Sequence, residues 1–211
     1  MKALPSWPGN RKRKPSRATS VVVAAALVTA CAGGPRPETA PGPAELPSAR
    51  AVERAMATDT GYLRSRGLMV PVLGVTPDHL NDTFNDPRSE ERVHRAIDIL
   101  APRGTPVLAA DSGTIIRVSS NTLGGLTIYA IDPQRRLVYY YAHLDRYDVL
   151  AYRGKTVAKG DVIGYVGATG NARGGPAHLH FQVMRYRDEH RYWEGEPIDP
   201  FPYFATAGQD H

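Results

Sequence analysis

The sequence predicts a mainly β domain of antiparallel strands, and three observations carry that prediction. From Leu68 onward, short runs rich in Val, Ile and Tyr recur at strand-like spacing, divided by Gly, Pro, Asn and Asp. In the run 178–184, apolar Leu179, Phe181 and Val183 alternate with His178, His180 and Gln182, the period of a strand with one buried face. No long amphipathic helix interrupts the runs, which favours an antiparallel sheet over βαβ units. Residues 67–204 suffice to close one core, so one domain is expected.

Taken in order, the chain opens with a basic segment, Arg11 to Arg17, followed by an apolar run, Val21 to Ala30. That run is about half the length a membrane-spanning helix needs, so residues 1–30 read as a signal peptide. Its end, Val28-Thr29-Ala30-Cys31, resembles the lipobox of bacterial lipoproteins, in which the cysteine is lipidated and becomes the new N-terminus. The resemblance implies membrane attachment through acyl chains on Cys31. Residues 31–49, rich in Pro, Gly and Ala, cannot bury a core and read as a disordered tether. Residues 50–66 have weak helical character, interrupted by Gly61, and are expected to form a short peripheral helix. Strands are expected at 105–108, 113–118, 126–131, 137–143, 162–166 and 178–184, with turns at 111–113, 121–125, 132–133 and 168–175. Residues 205–211 are a tail.

Charge excludes one partner class. The net charge of +5 is carried by the leader: Lys2, Arg11, Lys12, Arg13, Lys14 and Arg17 face no acid before residue 30. Past that point 20 basic residues meet 21 acidic ones. A nearly neutral domain has no electrostatic footprint for phosphate, so nucleic acid is not an expected partner. Cys31 is the single cysteine, which leaves no thiol downstream for a nucleophile or a zinc ligand.

The histidines carry the chemistry. His79, His190 and His211 lie in polar surroundings and read as surface residues, while His94, His143, His178 and His180 fall in or beside the β runs. His94-Arg95-Ala96-Ile97-Asp98 sets an imidazole and a carboxylate four residues apart, a donor pair that suits zinc. On a fully extended strand those residues would lie about 13 Å apart. The backbone is therefore expected to curve, bulge or begin its strand between them, with Ala96 inside the bend. In Tyr139-Tyr140-Tyr141-Ala142-His143, alternation places His143 on the face of Tyr139 and Tyr141. His178 and His180 share one strand face with Gln182. Two rivals are weaker. Ala110-Asp111-Ser112-Gly113 faintly suggests a serine protease, but Ser112 sits in a turn with no His and Asp assigned to it. Sugar binding would want exposed aromatics, and the tyrosines at 139–141 read as packed.

Together, H-x-x-x-D and the late H-x-H resemble the signatures of the lysostaphin-type (LytM-like) peptidoglycan metalloendopeptidases. The run 101–107 after Asp98 and the run 154–164 before the glycine-rich approach to His178 match that family as well, over about residues 67–204. The resemblance implies a duplicated-hybrid-motif β fold and one zinc ion. It implies that His94, Asp98 and His180 are the metal ligands, and that His143 and His178 are the catalytic histidines. The substrate implied is the peptide crosslink of bacterial peptidoglycan. One departure is Ala96, where the family usually has Gly; a positive φ there would strain the bend. The alternative within the family is a catalytically silent lipoprotein that activates cell-wall amidases, alone or through a regulatory adaptor. The expected location is extracytoplasmic and lipid-anchored, at the outer membrane facing the periplasm.

Overall fold

Strand pairing explains how distant segments reach one another. The computed structural model describes residues 49–88 and 92–204, all within the contact unit Leu46–His211. Cys31 and His211 lie outside the described residues. Among the described residues one α-helix, α1 (Ala49–Arg66), precedes ten strands: β1 (Ile97–Leu100), β2 (Pro106–Leu108), β3 (Gly113–Asn121), β4 (Gly125–Ile131), β5 (Leu137–Leu144), β6 (Arg146–Tyr147), β7 (Thr156–Val157), β8 (Val162–Tyr165), β9 (His178–Arg185) and β10 (Pro197–Ile198). Seven form an antiparallel sheet ordered β1-β9-β5-β4-β3-β7, with β10 also on β9, and β2-β8-β6 form a second sheet. Each of the six expected strands is present within a few residues of its expected bounds. The two-residue strands were not anticipated, because so short a run carries no period.

The large sheet has two unlike faces. Ile97, Ile99, Leu179, Phe181, Val183, Leu137, Tyr139, Tyr141 and Ile128 are fully buried in the main core with Val107 and Ile163 of the second sheet. The register pairs Asp98 with His180, Ala142 with His180, Tyr140 with Gln182, and Tyr129 with Tyr140. Paired residues point the same way. Asp98, His178, His180, Gln182, Tyr140 and Tyr129 therefore occupy the opposite face.

The helix is better anchored than a peripheral element. It runs through Gly61 without a break, and Leu63 is fully buried in the core. Arg66 donates two hydrogen bonds to the buried Asp111 at 2.7 and 2.9 Å, and Tyr139 Oη donates to the same carboxylate at 2.8 Å. Asp59 pairs with Arg136 and Arg185, and Tyr62 with Asp132. The helix stops at Gly67, whose φ of +53° is the left-handed end that glycine allows. Among the described residues no helix is long and apolar enough to cross a membrane.

Candidate metal centre

The bend expected between His94 and Asp98 exists, and its location answers the question raised by Ala96. β1 begins at Ile97, so His94 precedes the strand. The positive φ falls on Arg95 (+59°) rather than on Ala96, which is fully buried. An alanine in place of glycine is therefore harmless here. Two contacts hold the turn: Arg95 N–H donates to Phe84 O at 2.8 Å, and Gln182 Nε2 donates to Arg95 O at 2.9 Å.

The segment at Thr83 fixes the ligands from behind. His94 Nδ1–H donates to Thr83 O at 2.9 Å. A carbonyl can only accept, so the proton is on Nδ1 and Nε2 presents a lone pair. Asp98 N–H donates to Thr83 Oγ1 at 3.0 Å, and that hydroxyl donates to Ala96 O at 3.3 Å. Pairing of Asp98 with His180 across β1 and β9 brings in the third group.

His94 Nε2, Asp98 Oδ1 and His180 Nδ1 form a triangle whose three sides are each 3.0 Å. Four donors arranged tetrahedrally on zinc at about 2.0–2.1 Å lie about 3.3 Å apart. The triangle thus fits one zinc ion, and the nitrogen and carboxylate donors suit that metal. The second Asp98 oxygen accepts from Arg88 Nη2 at 2.6 Å. Burial alone would raise the Asp98 carboxyl, but its close contacts with the His180 and His94 rings outweigh that effect and hold the group well below the usual carboxylate range. Burial lowers His180, against the pull of Asp98.

His143 arrives by a route that strand alternation misreads. Its neighbours Tyr139 and Tyr141 point into the core, yet its ring lies 5.0 Å from His178 and 5.6 Å from His180, on the other face. The cause is backbone. His143 has φ +60°, the β4–β5 register slips between Leu126 and Ile128, and His143 N–H donates to Gly124 O at 2.7 Å. A left-handed residue turns its side chain out of the strand's alternation. Gly167 makes room: a Cβ there would lie 2.3 Å from Asp145 N and 2.7 Å from His143 O.

His143 Nδ1–H donates to Thr169 O and His178 Nδ1–H to Pro176 O, both at 2.9 Å. In each ring Nε2 then presents the lone pair, and that of His178 lies 3.9 Å from Asp98 Oδ1. Burial pushes His143 down to about 4, and nearby His180 adds to the shift, so this imidazole is neutral at ordinary pH. All five residues line a cleft of about 450 Å³ together with Arg88, Leu123, Tyr140 and Asn171. His79 and His190 are exposed and remote from it. Ser112 is bound in its turn, with its hydroxyl accepting from Lys159 N–H. Thr83, Arg88 and the task of Gln182 carry no signature in the sequence, because each acts through a contact formed only on folding.

A model of peptidase family M23 matches residues 92–200. Lysostaphin of Staphylococcus staphylolyticus is 34% identical over 117 residues, 55% of this chain and 23% of that protein. An uncharacterised lipoprotein, YgeR, of Escherichia coli is 34% identical over 115 residues, 54% of this chain and 41% of that protein. The chain thus spans less than half the length of these relatives. Among solved structures, LytU is similar with a TM-score of 0.50 at 33% identity, covering 59% of this chain and 82% of that one.

Proposed function

The chain belongs to peptidase family M23, and from that premise we propose that it is a zinc metalloendopeptidase cleaving peptide crosslinks of bacterial peptidoglycan. The carrying observation is the 3.0 Å triangle of His94, Asp98 and His180 beside two further imidazoles whose Nε2 atoms present lone pairs. Zinc, when bound, supplies Lewis acidity that polarises a carbonyl and acidifies water. The remaining work falls to the chain's own groups. Neutral His143 is able to accept a proton from the attacking water at Nε2 and return it to the leaving amine, and His178, on the same side of the cleft, orients that water by accepting a hydrogen bond at its own Nε2. The Nδ1–carbonyl bonds keep both rings aimed, so no reorganisation is needed at the moment of reaction.

Retention of all five positions favours an active enzyme over a silent activator of amidases. The lipobox-like run ending at Cys31, together with a relative named as a lipoprotein, supports a signal peptide over 1–30, acylation of Cys31, and residues 31–49 as the tether. The catalytic unit is 67–204, with attachment to the outer membrane facing the periplasm. Digestion of purified sacculi with and without chelator, read by muropeptide analysis, tests the reading. Chelator-sensitive release of crosslink fragments is expected. His143→Ala should keep its zinc while turnover falls by at least about a hundredfold. Bound zinc with crosslinks left intact would support the amidase-activator reading instead.

A further inference from the structure

The sheet face that carries the metal centre continues into a second, unassigned groove. Rings in contact lead across it: His180 to Tyr140 at 6.1 Å, Tyr140 to Tyr129 at 4.5 Å, Tyr129 to Tyr192 at 5.0 Å, and Tyr192 to Trp193 at 4.8 Å. The series ends at Trp193, which is 49% exposed. There a groove of about 770 Å³ joins Trp193, from the segment after β9, to Tyr152, from the loop between β6 and β7 and 57% exposed. Three exposed arginines line it: Arg117 on β3, Arg135 in the β4–β5 turn, and Arg153. The acid in its lining is Glu189, 3.7 Å from Arg135.

We propose that this groove binds an anionic saccharide strand, the glycan of the same wall polymer whose peptides the metal centre would cut. An indole and a phenol left half-exposed beside a groove are suited to the apolar faces of sugar rings, which need flat, rigid, amphipathic partners. The arginines supply forked donors for the carboxylates at positions along the strand that carry no peptide branch. A phosphate polymer is disfavoured because the chain past residue 30 is nearly neutral. The placement suits a branched substrate. From β9 to β3 is three strand spacings, about 14 Å, which an extended peptide branch of about four residues can span. Glycan in the groove would therefore leave a branch within reach of the zinc site. The identity of the polymer rests on the peptidoglycan reading; the aromatic and cationic groove does not.

Calorimetric titration of the full chain, held metal-free by chelator, tests this without catalysis. The probes are glycan strands stripped of their peptides but keeping their lactyl carboxylates, free stem peptides, and a single-stranded oligonucleotide. Glycan strands should bind. Trp193→Ala and Tyr152→Ala should each weaken that binding by about tenfold, and Arg153→Gln should weaken it less and flatten its salt dependence. All three side chains are exposed, and unchanged unfolding midpoints would show that the variants fold. Equal binding by wild type and all three variants, or binding of stem peptide or oligonucleotide in place of glycan, overturns the proposal. Glycan binding without sacculus cleavage would leave the groove standing and remove the peptidase reading. Cleavage with no glycan binding would do the reverse.

Discussion

Thr83→Val removes one hydroxyl from behind the metal centre and changes little else. Valine is nearly isosteric with threonine, and Thr83 is only partly buried. Two hydrogen bonds disappear: the 3.0 Å bond from Asp98 N–H and the 3.3 Å bond to Ala96 O. A neutral hydrogen bond contributes about 0.5–1.5 kcal/mol net, and the long contact belongs at the bottom of that range, so the pair amounts to about 1.5–2 kcal/mol. Those bonds fix the backbone on which Asp98 is presented. If their loss passes wholly to ligand alignment, zinc affinity falls about ten- to thirtyfold, since 1.4 kcal/mol is a factor of ten. That is the lower end of the tenfold to hundredfold range for groups that orient metal ligands. Competition with a calibrated chelator measures the dissociation constant directly. The rise in melting temperature on adding zinc should shrink in parallel, and Thr83→Ser should behave as wild type. A Thr83→Val protein that holds zinc as tightly as wild type would refute the role given to the hydroxyl.

Three further outcomes follow from the geometry. Gly167→Ala should destabilise the fold by about 2–3 kcal/mol, because the added carbon meets backbone atoms of Asp145 and His143 that cannot rotate away; urea titration checks it. Tyr139→Phe should cost about 1.5–3 kcal/mol, the worth of a buried hydrogen bond to a charged group, with zinc affinity unchanged. The pH dependence has a definite sign. His143 titrates near 4 when folded and near 6.5 when unfolded, so the unfolded chain takes the proton first. Its stability contribution is complete above pH 6.5 and is lost as pH falls toward 4. Metal-free His143→Gln should therefore lose less stability than wild type between pH 7 and pH 4.5, measured by denaturant midpoints.

How much was legible in the chain depends on the range of the interactions involved. Strand alternation from 178 to 184 put His178, His180 and Gln182 on one face, and a single buried face enforces that register. The bend at His94–Asp98 was deducible because an extended strand holds the two too far apart for one ion. Alternation places His143 on the wrong face because it presumes an ordinary backbone, and one left-handed residue with a slipped register breaks it. Gly61 suggested an interrupted helix, but ion pairs from Asp59 and Arg66 to residues far along the chain override a local propensity. Trp193 and Tyr152 could not be told from packed aromatics, since exposure depends on the loops around them.

Three of the imidazoles at the candidate centre are moored to main-chain oxygens, those of residues 83, 169 and 176. Such acceptors are supplied by every amino acid alike. Exchanging the side chain at Pro176 deletes no hydrogen-bonded anchor, so point substitution there would understate its importance; Thr169 differs, because its Oγ1 accepts from Leu126 N–H at 3.0 Å and donates to Leu144 O at 2.8 Å. Inserting or removing a residue in either loop would shift the anchors bodily and turn the rings away together. The moorings themselves depend less on which residue stands in a loop than on how long that loop is.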